Sequence, residues 1–383
     1  MRKRTAPALI LLALSLAAFG TLCALRGAPM ADLLVYRAEG AAVAHGTDLY
    51  GFTVTEWRLP ATYPPFAAIL FVPAAWLPVP VLKTAFLAAN VLLLAVLVVL
   101  SARLARRTPA PPVVCAATAL ALWLEPVFQT LLFGQVNLAV ACLTLWDLTR
   151  PPGARWAGAA LGIAAGIKLT PAVFVAWLLL RGRTREAATA LAAFAGTVAC
   201  GAVLLPSASV SFWTRRLWET GRVGKVWIVD NQSLQGLIAR MLGDPAPGLG
   251  WVLPALATGA VGLWLAARAR QERHGILLTA CTALLVCPIS WSHHWVWCVP
   301  LLAVLLGDGH RWAAAVTAAV FTARTLWLVP HAGDRDLHLP WWQQPAASPY
   351  PLLVLVLLAG AAVRRPERQA APSARISSAS TIR

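Results

Sequence analysis

Residues 81–100, VLKTAFLAANVLLLAVLVVL, run straight into SARLARR at 101–107. As a helix rising about 1.5 Å per residue, twenty such residues cover the roughly 30 Å hydrocarbon core of a bilayer. Arg103, Arg106 and Arg107 follow at once, and basic loops stay in the cytoplasm, so this helix crosses from outside to inside. The same reading extends in both directions. RKR at 2–4 precedes an apolar run over 6–25, which is too long for the core of a cleavable leader and reads as an uncleaved first helix starting inside. Downstream, spans are expected at about 111–128, 131–148, 187–205, 249–268, 274–290, 294–307, 312–330 and 349–363. The Gly-rich run that begins near Trp156 reaches Lys168 and Pro171, then a second apolar run to Leu180, which suits two half-depth helices better than one span.

Composition agrees. Of 383 residues 59% are hydrophobic and 12% charged, with a mean hydropathy of +0.69; a soluble domain carries about 25% charged residues. A cytosolic enzyme and a disordered chain are both excluded. The fold class is an all-α polytopic membrane protein of about 12 transmembrane or half-membrane helices. Residues 1–363 form one transmembrane domain, and 364–383 a basic, disordered cytoplasmic tail. The net charge of +17 would suggest nucleic acid in a soluble protein. Here the arginines fall between apolar segments, so the bilayer, not nucleic acid, is the partner. The seven cysteines lie in apolar stretches without CxxC spacing, which excludes a zinc site or a disulfide framework.

With both termini inside, three polar connections fall outside: 26–80, 206–248 and 331–348. In the first, Gly46 ends a helix begun near Asp32, and Tyr63-Pro64-Pro65 starts a short helix at the membrane surface. Chemistry belongs on this face. Asp32, Tyr36 and Gly40 share one side of their helix at i, i+4 spacing. The carboxylate either caps that helix or takes a proton from a sugar hydroxyl. Glu39 is the second candidate base, or the partner of Arg37 or Arg58. At 290–295, SWSHHW ends a span: Trp291, Trp295 and Trp297 read as interfacial anchors, while His293 and His294 suit a phosphate or sugar oxygen better than a metal. Lys168 meets an anionic group or snorkels to the surface. Asn231 and Gln232 either bind sugar hydroxyls or cap a helix, and Glu125, Gln129, Gln135 and Asn137 form a polar outer turn. Basic residues and tryptophans between Trp213 and Lys225 suit lipid head groups. No phosphate-cradling Gly loop or dinucleotide fingerprint occurs; a donor reaching the outer face comes through the membrane on a lipid.

Six stretches, in order, carry a resemblance: DLLVYRAEGAAVAHGTDLYGF (32–52), LPATYPPFAAILFVPAAWLP (59–78), LLFGQVNLAV (131–140), GIAAGIKLTPAVF (162–174), DNQSLQGLIAR (230–240) and PISWSHHWVW (288–297). Together they resemble glycosyltransferase family 87, the polyprenyl-phosphate-mannose-dependent α-(1→2)-mannosyltransferases of actinobacteria, with a GT-C fold. The resemblance implies a plasma-membrane enzyme working on the extracytoplasmic face. Its donor would be a polyprenyl-phosphate sugar, its acceptor a glycolipid or glycan, and no metal or other cofactor is expected. It places the catalytic base on Asp32 and donor or acceptor contacts on His293 and His294. Lys168, Tyr36, Arg37, Asn231 and Gln232 complete the expected substrate contacts. An arabinose or glucose donor on the same scaffold, a lipid-linked sugar transporter and a structural membrane subunit are the other readings.

Overall fold

The computed structural model describes residues 2–151 and 153–363; the expected cytoplasmic tail, 364–383, lies outside the described residues. The described residues are mostly helical. One short antiparallel pair, Thr53–Val54 with Leu59–Pro60, is the sheet among the described residues, and Asn231 and Trp291 form an isolated antiparallel bridge.

Among the described residues, four helices are long and apolar enough to cross a membrane: Thr5–Leu25, Val79–Leu104, Thr184–Leu204 and Leu249–Arg268. Two further spans are bent. Pro111–Ala121 continues into Glu125–Phe133 across a 78° turn, and Trp341–Ala347 into Pro349–Val363 across 84°. The expected straight spans over 111–128 and 131–148 are therefore redistributed. The first helix turns at Leu122–Leu124, Pro126 sits near the start of the second, and Gly134 closes it in the left-handed conformation (φ 69°). The following helix then runs Asn137–Leu148. Likewise the helix expected to reach residue 330 stops at Ala323, where Arg324 turns left-handed. The half-depth pair is present as Ala159–Ile167 and Thr170–Leu180, separated by an extended Lys168.

Most of each long helix faces outward. Leu92, Leu120 and Val203 are well exposed, as lipid-facing side chains are. Without a water-driven apolar effect between helices, close backbone approach carries the packing. The Gly158, Gly162 and Gly166 stripe lies directly against Thr184–Leu204: a methyl at Gly162 would land on Ala190 and Ala193, and one at Gly166 on Thr197. Gly262 meets Thr282 in the same manner. The expected cytoplasmic arginines gather at one end of the bundle and stitch its loops together. Arg107 reaches the Gly307 carbonyl, Arg181 the carbonyls of Ala267 and Ala269, and Arg183 pairs with Glu186 and Glu272. The connections 26–80, 206–248 and 331–348 assemble at the other end. There the Ala31–His45 helix, closed by left-handed Gly46 as expected, packs on the short helices Pro65–Leu70 and Val72–Ala75.

Candidate active site

Asp32 lies in the first turn of the Ala31–His45 helix, and it does not cap it. The N-cap is Met30, in the left-handed conformation, and no side chain bonds the free N–H groups. The Met30 N–H donates instead to the Leu132 carbonyl (3.1 Å), which fixes the helix start against the helix Glu125–Phe133. Of the two sequence readings for this carboxylate, capping is thereby removed. Surrounding protein pushes the Asp32 pKa up to about 6, against a lowering by the Gln135 hydrogen bond and the Lys168 charge; Asp230 adds to the rise.

Tyr36, one turn on, is buried, and its hydroxyl is 2.9 Å from both the Tyr63 hydroxyl and Gln135 Oε1. Tyr63 also donates to Gln135 Oε1 (3.0 Å). Glu39 is fully buried and accepts from the Thr62 N–H (3.2 Å), which ties the helix to the loop over 59–63; burial pushes it up to about 8. It pairs with neither Arg37 nor Arg58 as the sequence suggested. Arg37 turns away from the cleft, its Nε 3.4 Å from the Leu77 carbonyl.

Lys168 faces Asp32 from the break between the two half-depth helices. Its Nζ donates to Asn137 Oδ1 (2.7 Å), contacts His294 Nε2 (3.0 Å) and lies 5.6 Å from the Tyr63 ring centre. Because an ammonium only donates, His294 Nε2 accepts, and the imidazole proton sits on Nδ1. That Nδ1, and both ring nitrogens of buried His293, have no protein partner. His293 is held through its backbone instead: its carbonyl accepts from Thr130 Oγ1 (3.0 Å) and Asn137 Nδ2 (2.9 Å). Beyond Lys168, Asn137 and His294 the cleft continues between apolar walls that include Val140, Phe174 and Leu284. Among the described residues, no three His, Cys, Asp or Glu side chains converge as a metal-ligand set.

Other expected contacts stand elsewhere. Asn231 and Gln232 are fully buried, and their amides serve the backbone. Asn231 Nδ2 donates to Val226 and Pro288 carbonyls and its Oδ1 accepts from Ser290 N–H; Gln232 Nε2 donates to Val229 and Ala347 carbonyls and its Oε1 accepts from Tyr350 N–H. The structure does not bring these amides into the cleft. Asn231→Ala strands at least two buried backbone groups and is expected to cost about 2–3 kcal/mol of stability. Melting in detergent should fall by several degrees with substrate KM unchanged; an unchanged melt with a raised KM would give Asn231 back its binding role. The basic loop is also occupied: Arg215 and Arg216 pair with Glu219, Arg222 with the Ala61 carbonyl, and Lys225 with Asp334. Trp295 is a core residue at 1% exposure, packed on Phe321 and Tyr350, rather than an interfacial anchor.

Tyr63 and Asp230 carry more of the site than sequence reasoning gave them. Tyr63 had a signal in its rarity: the chain has four tyrosines, and each hydroxyl is bonded inside the fold. Asp230 accepts from the Ser292 N–H (3.1 Å), beside the bridge that ties the 230 loop to the histidine turn.

Fold and site together describe a membrane protein in which Asp32, Lys168 and His294 gather at the end of the bundle where the polar connections assemble. The model of glycosyltransferase family 87 matches residues 61–290. A polyprenol-phosphate-mannose-dependent alpha-(1-2)-phosphatidylinositol mannoside mannosyltransferase of Mycobacterium tuberculosis is 34% identical, over 87% of this chain and 84% of that protein. A polyprenol-phosphate-mannose-dependent alpha-(1-2)-phosphatidylinositol pentamannoside mannosyltransferase of the same species is 36% identical, over 80% of this chain and 73% of that protein. Among solved structures, ArnT from Cupriavidus metallidurans bound to undecaprenyl phosphate aligns with a TM-score of 0.45 and 17% identity, over 94% of this chain and 72% of that one. The chain belongs to glycosyltransferase family 87, and it is a membrane glycosyltransferase.

Proposed function

We propose that this enzyme moves mannose from polyprenol-phosphate-mannose to a hydroxyl of a phosphatidylinositol mannoside or related glycolipid. The names of its relatives supply donor and acceptor class. The observation that carries the chemistry is that the Lys168 ammonium, held on Asn137 and His294, acts electrostatically on the Asp32 carboxyl. In this reading Asp32 takes the proton of the acceptor hydroxyl as its oxygen attacks the anomeric carbon from the face opposite the phosphate. The new C–O bond forms as the bond to the phosphate oxygen breaks, and the configuration inverts. Polyprenyl phosphate leaves as a stable anion, so no general acid is needed. Its growing charge is met by the Lys168 ammonium and by imidazole N–H groups of His293 and His294. Tyr36 acts on the site through Gln135 rather than on substrate, and no metal is required. The working face is extracytoplasmic on a multi-pass plasma-membrane protein of GT-C type with both ends of the domain inside.

The test is transfer of labelled mannose from polyprenol-phospho-mannose to phosphatidylinositol mannosides by the purified protein in detergent. A longer mannoside lipid is the expected product. Transfer from arabinose or glucose donors alone would overturn the sugar assignment. The pH profile adds a second reading. A base works only when ionised, so kcat/KM should fall as pH drops through about 6, tenfold per unit below it. A flat rate from pH 7 to 5 would exclude Asp32 in this role.

A further inference from the structure

Gln135 stands in the turn after the Glu125–Phe133 helix, at 4% exposure. Its Oε1 meets the hydroxyls of Tyr36 and Tyr63 at 2.9 and 3.0 Å, and those hydroxyls meet each other at 2.9 Å. Two phenolic protons can fill only two of these three contacts at a time. When both phenolic protons are used within this triangle, none is left for Asp32. With its oxygen committed to the phenols, the amide has its NH2 left over for Asp32, whose pKa Gln135 lowers. The phenols themselves are fixed by packing: Tyr36 stacks on Phe71 at 4.4 Å between ring centres, and Tyr63 meets Tyr36 edge-on at 5.2 Å.

We propose that Gln135 is the positioning residue of the base: the Tyr36–Tyr63 pair locks its amide, and the amide fixes the orientation in which Asp32 receives the acceptor hydroxyl. The proposal rests on the reading of Asp32 as base. A hydrogen bond to the ionised form also favours that form, so Gln135 sets the pH at which the base becomes available. The same turn organises the opposite wall, since Asn137, two residues on, holds Lys168 and the His293 carbonyl. Other charged groups around Asp32 are accounted for. Lys168 favours the carboxylate; Asp230 opposes it, as does Glu39 on the same helix when ionised. Glu125, on the helix packed against Ala31–His45, is engaged by Trp327 and Tyr350, and Arg37 points to Leu77.

The experiment compares pH profiles of kcat/KM for wild type, Gln135→Met, Tyr63→Phe and Asp32→Asn, with melting temperatures in the same detergent. Methionine keeps the length of the side chain and removes its donor. The acid limb of Gln135→Met should move up by about one pH unit. Tyr63→Phe, which frees the amide partly, should move it less and in the same direction. A merely structural role would lower the melt and leave the limb in place, so an active Gln135→Met with an unmoved limb overturns the proposal. Should Gln135→Met fail to fold, Tyr63→Phe decides in the same way. Asp32→Asn separates the two levels. Undiminished transfer there overturns the base itself, whereas an inactive Asp32→Asn beside unmoved limbs overturns only the role of Gln135.

Discussion

Asp32→Asn is expected to lower transfer about 10²–10⁴-fold, the range that a positioned general base contributes. That corresponds to about 3–5 kcal/mol of transition-state stabilisation. The substitution preserves shape, and the asparagine carbonyl still accepts the Gln135 amide, so the helix and its contacts persist. What disappears is the ability to take a proton from the attacking hydroxyl. Folding should be unharmed, since a carboxylate whose pKa is raised by its surroundings is a strained guest there. The check is a single-turnover transfer rate beside a melting curve. A rate within tenfold of wild type would remove Asp32 from the chemistry, and a collapsed melt would make the loss uninformative about it.

Lys168→Gln is expected to reduce kcat/KM about 10²–10³-fold, as loss of one preorganised donor to a developing anion does elsewhere. The mechanism differs from that of Asp32. Glutamine can keep a neutral bond to Asn137 or His294, but it brings no charge to the leaving phosphate. Inhibition by free polyprenyl phosphate should weaken along with the rate, whereas Asp32→Asn should leave that inhibition intact. Arginine is not expected to rescue, because the ammonium is seated between Asn137, His294 and the Tyr63 ring, a place for a compact donor and not a planar fork. Unchanged inhibition by polyprenyl phosphate in Lys168→Gln would break the assignment of Lys168 to the phosphate.

Much of this architecture was legible in one dimension because a bilayer demands long apolar runs and places arginine loops on one side. The helix over Val79–Leu104, the break at Lys168 and the stop at Gly46 all follow from local rules. The bend between Pro111–Ala121 and Glu125–Phe133 was not, since both halves and the turn between them are apolar and hydropathy does not report direction. The site divides in the same manner. Asp32, Lys168 and the histidine pair stand out as ionisable groups in apolar or membrane-edge surroundings, where each needs a reason. Gln135 and Tyr63 do not, because their importance is a contact between segments far apart in sequence. Asn231 and Gln232 mislead in the opposite direction. A polar pair beside a loop looks ready for a ligand, yet an irregular backbone buried at 226–233 and 288–290 has its own unmet donors and acceptors, and these amides meet them.

The bridge between Asn231 and Trp291 has a bearing on how the protein is made. Ser290 and Ser292 reach back to residues 230–232 only once the histidine turn has been synthesised and threaded into the bilayer. Until then Asp32 and Lys168 are already present in the membrane, but the wall that brings His293 and His294 to them is still in the ribosome. On the proposed mechanism, a chain that lacks this turn is expected to be inactive.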